Sequence, residues 1–480
     1  MPALFLLVAA AYFGLLFVIS WATAGRATND TFYRAERRSP WWAVAFGMLG
    51  ASLSGVTFVS VPGMVRASGM TYLQMCLGFV PGYMLVAFVL LPVYYRLGLT
   101  SIYTYLNERF SLSAYRTGSS FFLLSKLTGA AVRLYLVCLI LQRIAFDAMG
   151  FPFWVTSFVV LALIWLYTRR GGIGTIVWTD CLQTAVLLLA LLLIVSSILS
   201  AEGWGIDEAY KAVSTSEMSR IFVFDDWSSR QYFWKQFLSG AFIVVVMTGL
   251  DQDMMQKNLT CRTLRESQKN MLVNGLLYLP VNILFLGLGV LMYLFSAHHG
   301  IVLPAAGDEV LPSLCAGGYL GRSALLFFAL GITAAAFSSA DSALTALTTS
   351  VCVDLLGRPS DERLRKRVHL GMALAVFALI LLFQRLGNTS VIDAVYMIAS
   401  YTYGPLLGLY AFGLFGRRAW QPAAKAIPWI CVASPSLCYA LSVVAAQFWG
   451  YHFGYELLLL NGGLTALGLY VASVIRHQTL

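Results

Sequence analysis

The sequence predicts an all-α membrane protein of about 13 transmembrane helices, on two observations: a strongly apolar composition, and long apolar stretches that return at regular intervals between short polar breaks. Of the 480 residues, 59% are hydrophobic and only 11% charged, too few polar groups to cover a soluble globule of that length. A helix needs roughly 20 mostly apolar residues to cross a hydrocarbon core of about 30 Å. Such stretches fall at about 2–23, 41–65, 71–95, 117–146, 152–168, 176–200, 231–256, 270–297, 321–355, 368–386, 391–415, 426–448 and 453–475. The second, fourth and ninth are longer or more interrupted than one straight crossing, which predicts tilt, kinks or breaks.

The polar breaks orient the spans. A net charge of +10 suggests nucleic acid at first sight, but the bases cluster in every second loop. If the first span runs from outside to inside, the inward segments hold 23 of the 32 Lys and Arg, among them Arg26, Arg34, Arg37 and Arg38, Arg358 to Arg367, and Arg417 and Arg418. The outward segments hold eight, and Arg133 lies within a span. This asymmetry places the N-terminus outside and the C-terminus in the cytoplasm of a plasma membrane, the inner membrane in a bacterium. The longest outward loop, 201–230, agrees, with six acids against three bases. Residues 1–24 end in small residues like a signal-peptide cleavage site, but no basic residue precedes the apolar run, so they read as a retained span. The eight cysteines are scattered, with no paired spacing, and read as small buried hydrophobes.

No polar segment is long enough for a soluble domain, so function sits among the helices. A leading helix and loop (1–40) precede two five-span blocks, 41–200 and 231–415, joined by the loop 201–230 and followed by two trailing helices in 416–480. Having an odd number of spans, the blocks enter the membrane from opposite sides, as an inverted repeat requires. The first helix of each block is the one expected to break at mid-membrane. In the first block, Gly47, Gly50, Ser52, Ser54, Gly55, Thr57, Ser60, Pro62 and Gly63 crowd one span. Such residues weaken a helix and free carbonyls to face an ion, unless they serve only close helix packing.

Ionisable and hydroxyl groups within spans carry the chemistry. Ala335, Ser338, Ser339 and Ser342 share one helix face, with Asp341 beside them. Hydroxyl, carboxylate and carbonyl oxygens suit a small hard cation such as Na⁺, whereas a lone serine more often bonds back to its own helix. Asp180, near the inner end of its span, is either a cation ligand or a helix N-terminal cap. Asp251 and Asp253 read as a structural network with Lys257, Arg262 or Lys126. Arg133, at mid-span, needs an acidic partner, either a carboxylate on a solute or, the preferred reading, a protein acid such as Asp341. No nucleophile–base pair and no His-rich metal motif lies within the spans, so an enzyme is not expected.

Six segments, in order, carry a family resemblance: Asp30 to Glu36 leading to Ser39-Pro40-Trp41-Trp42; Leu99 to Phe110; Gly171 to Gln183; Asp251-Gln252 through Gln268-Lys269; the serine cluster; and Tyr401 to Leu409. In these the chain resembles the solute:sodium symporter family over nearly its whole length. The resemblance implies a five-plus-five inverted-repeat, leucine-transporter-like fold, with sodium held between the broken first core helix and the eighth. It assigns a main sodium site to the carbonyls of Gly50, Leu53 and Ala335 and the hydroxyls of Ser338 and Ser339. A second sodium site, present in some family members, maps to Asp180, Ser338, Asp341 and Ser342, with Asp341 where a hydroxyl is expected. Positions like those that grip sugars in the family's sugar carriers hold Thr57, Cys76, Val244, Met247 and Tyr278, so a sugar is not favoured. Thr57, Gln74, Arg133 and Tyr401 are the polar groups expected nearest the solute. The implied function is sodium-coupled symport of a small organic solute by alternating access, with proton coupling or a non-transporting sensor as the alternatives. Sodium, the solute and lipid are the expected partners, with no nucleic acid and no protein partner.

Overall fold

The structure is a computed structural model that describes residues 2–24, 28–386, 391–417 and 422–479; Arg26 and Arg418 lie outside them. The described residues are helical, with no strand among them beyond one isolated bridge between Ser39 and Cys261. We number the principal helices α1 Pro2–Ala24, α2 Trp41–Ser52, α3 Gly55–Ser68, α4 Tyr72–Leu97, α5 Leu112–Ile144, α6 Phe153–Gly171, α7 Ile173–Glu202, α8 Phe233–Gly249, α9 Gln252–Asn258, α10 Leu264–His298, α11 Gly307–Ala316, α12 Gly321–Leu355, α13 Glu362–Arg385, α14 Val391–Thr402, α15 Gly404–Phe415, α16 Ala426–Trp449 and α17 Leu457–Arg476. Nine helices among the described residues are long and apolar enough to cross a membrane, or 11 when two bent pairs each count as one span. The two remaining apolar stretches carry the shorter helices Leu7–Thr23 and Gly404–Phe415.

The two bent pairs are α2 with α3, at 55°, and α8 with α9, at 70°. Each is the first helix of a five-span block, where an inverted repeat places its discontinuous helices. The first break falls at Leu53-Ser54, inside the run of small residues. The second follows a widened turn at Val245–Gly249, and Asp251 restarts the chain as a helix cap, its carboxylate accepting the N–H groups of Asp253 (2.8 Å) and Met254 (3.4 Å). The fourth and ninth stretches do not break. Each ends instead in a widened turn, at Gln142–Phe146 and Ser350–Leu355.

Small residues bring the helices into contact, as expected where lipid gives no hydrophobic drive between them. A Cβ on Gly50 would stand 1.9 Å from Thr184 Oγ1, and one on Gly47 2.8 Å from the Asp180 Cβ, so α2 lies directly on α7. The turn from α6 to α7 passes through Gly172 at φ +52°, with the Phe32 ring filling the space a side chain would need. On α12, a Cβ on Gly331 would stand 2.6 Å from the Ala190 Cβ, so the half-helix α2 and the serine-bearing α12 both pack on the continuous helix α7.

Candidate functional site

At the break, α2 ends among buried residues, and the last carbonyls of a helix have no donor of their own helix to satisfy them. Facing them on α12 is a wholly buried run in which Ala335, Ser338, Ser339 and Ser342 share a side. The Ser339 hydroxyl lies 3.2 Å from the Ala335 carbonyl and 3.3 Å from the Ala51 carbonyl, so one oxygen bridges α12 and the broken end of α2. Leu53, at the break, is fully buried. Carbonyl and hydroxyl oxygens converge here with no charged side chain among the assigned groups, a donor set that fits a small monovalent cation.

Ser338, one residue earlier, faces another way. Its hydroxyl donates to Asp180 Oδ1 at 2.6 Å, while Asp180 Oδ2 lies 2.7 Å from the Lys257 ammonium, which α9 brings in from the far side of its break. Asp341 is next to this group: Oδ2 accepts from the Tyr167 hydroxyl at 2.7 Å, and Oδ1 lies 3.1 Å from the Ser342 hydroxyl, which also reaches the Ser338 carbonyl at 2.8 Å. The structure therefore joins Asp180, Ser338, Asp341 and Ser342 in one buried cluster and adds Lys257 and Tyr167, which the sequence did not single out for it. Asp251 and Asp253 take the other lysine, Lys126, at 3.1 and 2.6 Å. Of the partners open to them, it is Lys126 and not Lys257 that closes that network.

A central cavity of about 100 Å³ lies beside the break. Thr57 and Arg133 line it, together with Tyr83, Tyr278, Tyr396 and Tyr403. The four acids in the middle of the bundle are engaged by the lysines, Tyr167 and Ser342, and Arg133 forms no ion pair with Asp341 or any other carboxylate among the described residues. Its half-buried guanidinium faces the cavity. Gln74 lies elsewhere. Its amide donates to the Gln231 carbonyl at 2.9 Å and accepts the Val223 N–H at 3.1 Å, fastening the 201–230 loop to α4. Tyr401 is also away from the cavity, its ring 6.5 Å from that of Tyr439, and the wall position belongs to Tyr403. Between the cavity and a second, larger space of about 1060 Å³ stands a pair of tyrosines: Tyr396 lines the first, Tyr72 the second, and their hydroxyls are 3.0 Å apart.

Comparison with known proteins gives concordant results. The family model for the sodium:solute symporter family matches residues 32–426. The human sodium/iodide cotransporter is 26% identical over 411 residues; the match takes in 83% of this chain but only 63% of that longer protein. The sodium/sialic acid symporter NanT of Aliivibrio fischeri is 26% identical over 481 residues, covering 95% of this chain and 91% of NanT. Among solved structures, the substrate-bound outward-open state of a Na⁺-coupled sialic acid symporter superposes with a TM-score of 0.84 at 21% identity, over 98% of both chains.

Proposed function

We propose, from the premise that this chain belongs to the sodium:solute symporter family, that it couples sodium entry to uptake of a small organic anion whose carboxylate is held by Arg133. The observation that carries the reading is a permanently charged guanidinium lining a central cavity whose lining carboxylate, Asp251, is already paired with Lys126, leaving Arg133 with no ion pair among the described residues. A planar fork of N–H donors matches a carboxylate in shape and charge, and such a charge inside a membrane calls for a partner. Hydroxyls of Thr57 and the cavity tyrosines supply further contacts. The relatives point the same way, since iodide and sialic acid are both anions. A cavity of about 100 Å³ is smaller than the roughly 150 Å³ that admits benzene, which favours a solute of few heavy atoms.

Sodium enters at the break. Held by the carbonyls of Gly50, Leu53 and Ala335 and the hydroxyl of Ser339, with the neighbouring Ser338 anchored to Asp180, it ties α2 to α12, and that contact shapes the wall carrying Thr57. Solute and ion thereby favour each other's binding, the coupling that symport needs. Rocking of one group of helices against the other then exposes both to the cytoplasm. One sodium and one carboxylate together carry no net charge, so one-to-one symport draws on the sodium concentration gradient and not on the membrane potential, which does work only on a net charge moved.

The test is uptake into proteoliposomes of radiolabelled acetate, pyruvate and lactate, with glycerol and glucose as neutral controls, under a sodium gradient, a proton gradient or neither. Sodium-driven uptake of a carboxylate, lost in R133Q, is the expected result. Uptake that follows the proton gradient alone, or a neutral solute carried equally by wild type and R133Q, contradicts the reading.

A further inference from the structure

We infer that the Lys257 ammonium is a built-in cation standing where a second sodium would bind, so that this chain takes up one mobile sodium and not two. The inference rests on the sodium-coupled reading above and departs from the second site that the family resemblance assigns to Asp180, Ser338, Asp341 and Ser342.

The geometry of Asp180 carries it. One carboxylate oxygen lies 2.7 Å from Lys257 Nζ and the other accepts the Ser338 hydroxyl at 2.6 Å, so both oxygens are committed. The lysine side chain is 1% exposed and the aspartate 0%, so neither charge has water to exchange for its partner. Of the other assigned ligands, Asp341 Oδ2 accepts from Tyr167, and Oδ1 lies 3.1 Å from the Ser342 hydroxyl, which is turned to the Ser338 carbonyl. A sodium ion on Asp180 would sit within a few ångströms of the ammonium, and buried like charges at that spacing repel strongly.

The acids at its own end of the break are not open to Lys257. The nearby Asp253 is bound at 2.6 Å by Lys126, which bridges to Asp251 as well. The break in the second bent pair makes this possible: α9 turns 70° away from α8, and from that direction Lys257 reaches α7. The same ion pair gives Ser338 its orientation, because the hydroxyl donates to a carboxylate that the lysine holds in place. Lys257 thus acts on the main sodium site as a positioning residue, through Asp180 and Ser338.

The test counts sodium ions on the purified, detergent-solubilised full chain, using ²²Na⁺ in equilibrium binding without any solute, and follows folding in parallel by thermal melting. The expected result is one saturable sodium per wild-type chain, one in K257R, and two in K257Q, with sigmoidal saturation. S339A combined with K257Q is expected to keep one. Two ions on the wild type, or a folded K257Q that still binds one, overturns the inference. If K257Q does not fold, the wild-type count decides: one supports the inference and two overturns it. A wild type that binds no sodium overturns the symport reading and this inference together, whereas two ions overturn this inference alone.

Discussion

Ser338 and Ser339 are neighbours in sequence, yet they belong to two unlike regions. Around Ser339, neutral oxygens from α12 and the end of α2 converge, and no fixed charge has been placed among them. Around Ser338, carboxylate, ammonium and hydroxyl are matched at 2.6–2.7 Å. The first arrangement leaves oxygen lone pairs for an ion that must arrive and depart. The second is complete without one, and a buried ion pair of that kind serves to fix geometry more than to add stability. Two adjacent residues pointing about 100° apart on one helix thus separate a place for exchange from a rigid support.

Breaking the support has the larger consequence. D180N leaves a buried lysine without its counter-charge, and stranding one member of such a pair costs about 3–5 kcal/mol. It is expected to lower the melting temperature or abolish folded yield, whereas replacing both residues together, D180L with K257M, should recover much of the loss. A double variant no more stable than D180N would show that the pair is not a self-contained unit.

Next in size is the contrast between the two serines. S339A removes an oxygen that bridges the break and should weaken sodium binding by about 10- to 100-fold, since a hydrogen-bonding group facing a charge contributes about 1.5–3 kcal/mol. S338A should act mainly through the orientation of Asp180 and cost more in melting temperature than S339A does. Equal effects of the two on both readouts would erase the distinction.

R133Q is expected to reduce carboxylate affinity by a similar factor while sodium binding in the absence of solute stays near wild type, measured by ²²Na⁺ binding and competitive uptake. The smallest effect belongs to Y72F. It removes one side of the 3.0 Å hydroxyl contact with Tyr396, worth about 1 kcal/mol, and should raise the rate of solute release toward the larger cavity several-fold with little change in sodium affinity.

Much of this was legible in the sequence. The density of Gly, Ser and Pro from Gly47 to Gly63 marked a helix that would come apart, and it does so at Leu53-Ser54. The serine run was recognisable from its spacing, and Arg133 from its depth in a span. Pairings between distant helices were harder to read. Lys257 sits in a short half-helix redirected by 70°, so its neighbours depend on an angle that residue types do not specify, and Asp180 looked equally like a cap or a ligand. Gln74 has the polarity of a cavity residue but faces the 201–230 loop, because the N–H of Val223 and the carbonyl of Gln231 need its amide. Tyr401 and Tyr403 differ by two residues, about 200° of helical rotation, and the chain is interrupted at Tyr403 between α14 and α15. An uninterrupted helical reading therefore puts the wrong tyrosine on the wall.

The most direct test of the central claim, that a sodium ion joins the open end of α2 to α12, is the melting temperature of the purified protein titrated with sodium against potassium at constant ionic strength. A ligand that binds only the folded chain stabilises it in proportion to the logarithm of its concentration above Kd. The account predicts a sodium-specific rise for the wild type and for R133Q, and for S339A a rise displaced to about 10- to 100-fold higher sodium. A rise in S339A at the same sodium concentrations as in the wild type, or one that potassium reproduces in the wild type, would contradict it.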